Sequence, residues 1–204
     1  VSTAGAAHWD NRYQTVGAES VSWYEAEPTT SLELIKAVGA TPADAVVDIG
    51  GGASTLVDHL VSAGYQDVTV LDLSQAALDV ASGRVGLSVP VAWVAADILD
   101  WKPTRQYDVW HDRAVLHFLT EGHDRNRYLD IMRLAVHPGG AVIIGAFADD
   151  GPTQCSGLPV RRYTTGDLQD LLPDLMLVDA RRHEHRTPAG TVQPFNWIAG
   201  RLPG

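Results

Sequence analysis

The residues best placed to do chemistry in this 204-residue chain are three aspartates, each at the end of an apolar run. Asp48 opens the turn Asp48-Ile49-Gly50-Gly51-Gly52, Asp72 follows 24 positions later at the end of DVTVLD, and Asp97-Ile98 closes VAWVAADI. If each run is a buried strand, the three carboxylates reach the carboxyl edge of one sheet, where open α/β sheets bind their ligands. Glycines let the backbone turn sharply and let a ligand approach the main chain closely. A carboxylate at position 72 can accept both hydroxyls of a ribose and repels a 2′-phosphate. A carboxylate beside an aliphatic residue, as at Asp97-Ile98, suits an adenine, whose amine donates while its face packs on Ile98.

Two nucleoside ligands fit such a pattern. A nicotinamide dinucleotide needs G-x-G-x-x-G, and counting from Gly50 the third glycine position holds Thr55. Neither lysine of the chain, Lys36 or Lys102, has a tyrosine four places before it, so the Tyr-x-x-x-Lys pair of many reductases is absent. A pyrophosphate at a helix N-terminus also disfavours a nearby carboxylate. Asp48, immediately before the glycines, suits a cationic ligand better, and S-adenosylmethionine carries both an ammonium and a sulfonium.

The residues facing an acceptor are less defined, because displacement from a sulfonium needs alignment and desolvation more than a fixed catalytic group. Tyr13, Trp23 and Tyr24 cluster before the first core helix and are candidates to close over the cofactor. His111 and His117 flank the loop after the fourth strand; a histidine is a plausible base near neutral pH, with His111 the better candidate and His117 expected to pack beneath a helix. The Gly/Pro-rich stretch 151–159 is expected to be a loop over the active face, with Cys155 as a substrate candidate beside Arg161, Arg162 and Tyr163. His183-Glu184-His185 has the look of a metal pair without a third ligand, so no metal site is assigned.

These residues need a scaffold, and the chain alternates strand and helix to supply one. Thr30 or Ser31 is expected to cap a helix over SLELIKAVG that stops at Gly39. Then come strand AVVDI, helix STLVDHLVSAG, strand DVTVLD, helix SQAALDVASGRV, strand VAWVA, strand YDVWHDR running into a helix, helix RNRYLDIMRLAV and strand AVIIGAFA. This alternation calls for a parallel sheet covered on both faces. The tail breaks it: a Thr-capped helix TTGDLQDLL, then LMLVDARRHEH and FNWIAGRL joined so closely that they must be antiparallel. Pro194 cannot donate to a ladder, which places the start of the last strand after it.

The chain resembles a class I S-adenosylmethionine-dependent methyltransferase in DIGGG, Asp72, Asp97-Ile98, the Pro-Gly-Gly turn before AVIIGAFA and the C-terminal hairpin. HWDNRY…SWYEAEP…SLELI is similar to the small type 12 methyltransferases and to the N-terminal module of the eukaryotic lysine methyltransferase-like family. The resemblance implies a doubly wound, Rossmann-like, mostly parallel seven-stranded α/β sheet, with residues 1–30 as an N-terminal cap and 31–204 as the core of one domain. It implies that Asp48, Gly50 and Gly52 line the methionine moiety, that Asp72 and Leu73 hold the ribose and adenine, and that Asp97 and Ile98 hold the adenine. Asp112 and Arg113 would border the methionine end and the substrate. In place of the Asn/Asp-Pro-Pro-aromatic motif of many amino-group methyltransferases the chain has His111-Asp112-Arg113-Ala114, which argues against adenine or glutamine N-methylation and leaves lysine methylation open.

Composition bounds the reading. Fifteen basic against 25 acidic residues give a net charge of −10, and no dense basic run occurs, which argues against a nucleic-acid partner. Six arginines against five acids leave residues 151–204 at +1 and residues 1–150 at −11. No apolar stretch suits a membrane span or a secretory leader, and a single cysteine, Cys155, excludes an internal disulfide. The expectation is a cytoplasmic enzyme, its oligomeric state open, transferring a methyl group to a small-molecule O, S or N nucleophile and releasing S-adenosylhomocysteine. The alternatives are a protein lysine N-methyltransferase and a cofactor-binding module without catalysis.

Overall fold

The computed structural model describes residues 5–86 and 90–204; residues 1–4 of the expected cap lie outside the described residues. Seven strands form one sheet: β1 (Val46–Ile49), β2 (Val68–Asp72), β3 (Val91–Ala95), β4 (Tyr107–Arg113), β5 (Val136–Phe147), β8 (Met176–Arg186) and β9 (Val192–Arg201). Their order is β3-β2-β1-β4-β5-β9-β8. The first five pair in parallel, and β5–β9 and β9–β8 are antiparallel. The order reverses between β1 and β4, so the carboxyl ends of these neighbours open a crevice.

Both faces of the central strands are buried, and their side chains divide between them with the period of two that a pleated strand imposes. Val47, Ile49, Trp110, Val142, Ile144 and Ile198 enter one core; Val46, Val109, Ala141, Ile143, Trp197 and Ala199 enter the other. The first core is closed by α5 (Gly122–Ala135), through Tyr128 and Met132, and by α6 (Thr165–Leu171), through Leu168. The second is closed by α2 (Thr29–Ala37), α3 (Leu56–Ser62) and α4 (Gln75–Val85), through Leu34, Leu56 and Leu78. Thr164 caps α6 as its sequence predicts: its Oγ1 accepts from the Asp167 amide at 3.0 Å, while the Asp167 carboxylate accepts from the Thr164 amide at 2.8 Å.

Three local expectations are corrected, and one element is added. Thr30 and Ser31 do not cap α2; the helix begins at Thr29 after Pro28, and both residues are buried within it. Proline can open a helix without losing a bond, and Ser31 is then free to turn inward. β9 begins at Val192 and carries Pro194 within it, opposite Glu184 of β8. Pro194 donates nothing to the ladder, but its carbonyl accepts, at 2.9 Å, from the Ala148 amide. Residues 151–159 are not a plain loop but contain a small hairpin, β6 (Gln154–Cys155) and β7 (Leu158–Pro159), turning at Ser156 (φ 51°) and Gly157 (φ 78°). Two successive positive φ angles match the twist of a tight hairpin. Finally, the aromatic N-terminal segment contains a helix, α1 (Ala6–Val16).

Gly145 in β5 is fixed by space. A Cβ there would stand 2.6 Å from three ring carbons of Trp197, on the paired strand β9. Gly145→Val should destabilise the protein by roughly 1–3 kcal/mol, the usual cost of overpacking a tight core. A thermal melt should register this as a clear fall in Tm.

Candidate active site

A cavity opens at the carboxyl ends of β1, β2, β3 and β4 and is roofed by α1 and residues 18–28. Its floor is the glycine turn. Gly50 holds φ +66°, which only glycine adopts without strain, and a Cβ there would run into the Val115 side chain at 2.1 Å. A Cβ at Gly52 would lie 2.9 Å from the Tyr13 hydroxyl and 3.0 Å from Asp72 Oδ2. The turn is thus a bare-backbone cradle with a carboxylate and a phenol at its rim.

The charge at this end is negative and buried. Asp48 is pinned from the side: His111 Nδ1–H donates to Asp48 Oδ1 at 2.7 Å, and His111 Nε2 lies 2.9 Å from Ser31 Oγ. Asp72 Oδ1 accepts from the Ser74 amide at 2.7 Å. Asp10 of α1 accepts from Ser74 Oγ–H at 2.6 Å and from the Ala76 amide at 3.1 Å, docking α1 on the first turn of α4. Burial, with the Asp48 and Asp10 carboxylates adding repulsion, pushes the Asp72 carboxyl up to about 7. Leu73, Asp97 and Ile98 continue the same wall, with Asp97 Oδ1 accepting from the Leu99 amide at 2.9 Å. Three acidic strand ends around a glycine cradle fit the ribose hydroxyls, adenine amine and cationic methionine end of S-adenosylmethionine.

The roof is aromatic. Trp23 Nε1–H donates to the Tyr13 hydroxyl at 3.1 Å, and burial followed by the Asp72 charge raises the Tyr13 phenol above its ordinary value. Trp9 packs edge-on against Trp23 at 5.9 Å and against Phe118 at 5.2 Å. Trp9 belongs to no motif that assigns it to the site; its spacing of four from Tyr13, on one helix face, is the signal in the sequence that could have found it. Tyr24 lines the cavity as well.

The roof is tied down by charge. Arg113 Nη1–H donates to the Trp23 carbonyl at 2.8 Å, and Nη2 lies 3.1 Å from Glu25 Oε1. His185 Nδ1 lies 3.0 Å from Glu25 Oε1, and its Nε2 lies 2.7 Å from the Ser22 carbonyl. Burial works to raise the Glu25 carboxyl, but the His185 hydrogen bond and the charges of Arg113, His185 and His183 outweigh it and hold it low. His185 thus clamps β8 to the cap, while Glu184 of the same motif pairs with Arg182.

Other expectations change. Asp112 does not border the cavity; it is fully buried beneath it, accepting from the Val115 and Leu116 amides at 2.7 and 3.0 Å and from the Tyr128 hydroxyl at 2.6 Å. Along β4, Asp112 and Arg113 point to opposite faces, so only Arg113 reaches the cavity. Arg161 is exposed and lies over the Tyr163 ring at 5.3 Å, while Tyr163 is buried in the core on the far face; neither lines the cavity. Arg162 is exposed and donates to the Gly151 carbonyl. Cys155 does line it, and burial pushes its thiol up to about 11, leaving it un-ionised at neutral pH. His111 has both ring nitrogens engaged, whereas neither nitrogen of the fully buried His117 has a hydrogen-bond partner among the described residues.

Comparisons with known proteins accord with this geometry. Residues 46–140 match the family model of a methyltransferase domain. A Mus musculus eEF1A lysine and N-terminal methyltransferase is 24% identical over 144 residues, 69% of this chain and 20% of that protein; the chain spans about a fifth of its relative. A structure solved for the conversion of a disulfide bond into a thioacetal group during echinomycin biosynthesis superimposes with a TM-score of 0.77 at 21% identity, over 97% of this chain and 93% of the other. The Burkholderia thailandensis 1,6-didemethyltoxoflavin-N1-methyltransferase, with 1,6-didemethyltoxoflavin and S-adenosylhomocysteine bound, gives 0.70 at 21% identity over 97% and 84%. The fold is that of the S-adenosylmethionine-dependent methyltransferases.

The clamp is open to a direct test. His185→Ala removes two buried hydrogen bonds and should cost roughly 1–3 kcal/mol. Hydrogen exchange should accelerate in residues 18–28 while the amides of β1, β4 and β5 keep their protection.

Proposed function

We propose that this methyltransferase, with S-adenosylmethionine as its methyl donor, acts on a small-molecule O, S or N nucleophile. The observation that carries the reading is the aromatic roof: Trp9 bridges Trp23 of the cap and Phe118 of the post-β4 loop, and the cap is clamped behind it by Arg113, Glu25 and His185. Such a lid encloses a compound rather than admitting a folded surface.

The cofactor supplies a methyl group on a sulfonium, already activated for displacement. Asp72 would accept from the ribose hydroxyls, and Asp97 from the adenine amine while Leu73 and Ile98 would pack the base. Asp48, oriented by His111, would face the cationic methionine end across Gly50 and Gly52. Tyr13 and Trp23 close over the cradle. The chain's own contribution to rate is therefore alignment of the two reactants and exclusion of water.

A protein lysine acceptor is the second reading. It is favoured by the 24% identity to the mouse lysine and N-terminal methyltransferase. Incubating the protein with methyl-labelled S-adenosylmethionine and a fractionated lysate separates the two: the label is expected in the small-molecule fraction, and label on a protein band would reverse the order.

The ribose contact carries a pH signature. The Asp72 carboxyl, pushed up to about 7 in the free protein, must lose its proton to accept from both hydroxyls. Affinity for S-adenosylhomocysteine should be full above that pH and fall as pH drops through it, by about tenfold per unit below. Calorimetric titration from pH 5.5 to 8.5 measures this. Asp72→Asn should bind weakly and lose the slope.

A further inference from the structure

We infer that His117 receives the methyl acceptor, and that the acceptor is a flat, uncharged compound of aromatic-ring size whose nucleophilic O–H or N–H hydrogen-bonds the His117 imidazole. This rests on the methyltransferase reading above and goes beyond it to a substrate class and a residue.

His117 lies in the cavity wall with no exposed surface, and neither Nδ1 nor Nε2 meets a hydrogen-bond partner among the described residues. Its surroundings are rings: Phe118 edge-on at 4.5 Å, Phe147 at 4.6 Å and Phe195 at 6.5 Å. Its carbonyl is held at 2.8 Å by the Arg161 amide, which fixes the backbone beneath the ring. Buried polar groups are almost always paired, because stripping water from them without replacement is costly. A donor and an acceptor left bare in an apolar wall are explained when a ligand brings the partners. His111, only six residues away, has both nitrogens satisfied within the protein and is no rival.

The electrostatics define what the wall accepts. Burial, reinforced by the Arg113 charge, pushes the His117 imidazole down to about 3, so at neutral pH it presents one N–H and one bare nitrogen. The Cys155 thiol beside the same cavity is also un-ionised. A cationic amine would lose its hydration among phenyl rings near the Glu25-paired Arg113, whereas a neutral ring packs against those rings and pairs its one polar group with an imidazole nitrogen.

The transfer balances on this residue. As the acceptor atom bonds the methyl carbon, the S–C electron pair stays on sulfur and the acceptor's proton passes to the bare ring nitrogen. One positive charge is lost at sulfur and one forms on the imidazole, and the burial and Arg113 charge that hold this imidazole down to about 3 drive the proton on to solvent.

Phenol, toluene and benzylamine share one ring and differ only in the polar group, and they test the proposal on the protein saturated with S-adenosylhomocysteine at pH 7.5. Phenol should bind about tenfold more tightly than toluene, the worth of one hydrogen bond to an otherwise unpaired buried group, and benzylamine should bind most weakly. Phenol should also shift the ring 15N resonances of His117, assigned by their loss in His117→Asn. In His117→Phe the preference for phenol over toluene should vanish while the affinity for S-adenosylhomocysteine stays within about twofold. Equal binding of phenol and toluene to the unaltered protein, unmoved ring resonances, or a preference that survives in His117→Phe would each overturn the proposal. The ring resonances of the unaltered protein remain decisive even if the phenylalanine variant does not fold. Tightest binding of benzylamine would overturn it in favour of an ammonium acceptor. Failure to bind S-adenosylhomocysteine at all would be distinct, because it would remove the methyltransferase reading and this proposal with it.

Discussion

The chain Ser31–His111–Asp48 is the constraint on which the site depends. A carboxylate at the end of a fully buried strand cannot stay unpaired, because the cost of desolvating it would displace the turn that follows. His111 meets it from the neighbouring strand and passes the hydrogen-bond chain on to Ser31 of α2. Three elements, β1, β4 and α2, are thereby fixed at the switch point of the sheet, and the glycine turn beyond Asp48 is held open as a cradle. The histidine that the sequence offers as a base has both ring nitrogens engaged in holding the strand end before the glycine turn.

The cap follows from a second set of buried charges. The β4 residue beyond Asp112 is Arg113, and its guanidinium is carried out of water into a wall of rings, 5.4 Å from Phe195. It finds compensation from Glu25 and the Trp23 carbonyl, both on the cap, and Glu25 in turn engages His185 on β8. Neutralising one buried charge thus orders the segment that covers the site. The acidic face of the cap is used too, since Asp10 occupies the N-terminal turn of α4, where a carboxylate is favoured by the unpaired amides and the helix dipole. Asp10, Asp48 and Asp72 gather enough negative charge around the cradle to favour a cationic ligand.

Two histidines, His111 within β4 and His117 just beyond it, illustrate how environment assigns role. His111 sits among polar partners from two elements and is structurally spent. His117 is lodged among phenyl rings, and neither of its ring nitrogens has a hydrogen-bond partner among the described residues. Residue type is the same for both, but His111 stands within β4 and His117 in the helical turn that follows it, so the fold gives them different neighbours.

Sequence alone determined the alternation of strands and helices, the antiparallel C-terminal hairpin and the placement of Asp48, Asp72 and Asp97 at strand ends. These are local properties: apolar runs, glycine turns and caps are written within a few residues of where they act. It did not reveal that Asp112 turns into the core while Arg113 faces the cavity, that Arg161 and Tyr163 lie outside it, or that His185 clamps the cap. Those outcomes depend on partners far apart in the chain, 63 residues for His111 with Asp48 and 163 for His185 with Ser22. Strand parity, sheet order and the docking of α1 bring such pairs together, and a charge or a ring has a role only once the fold has chosen what lies beside it.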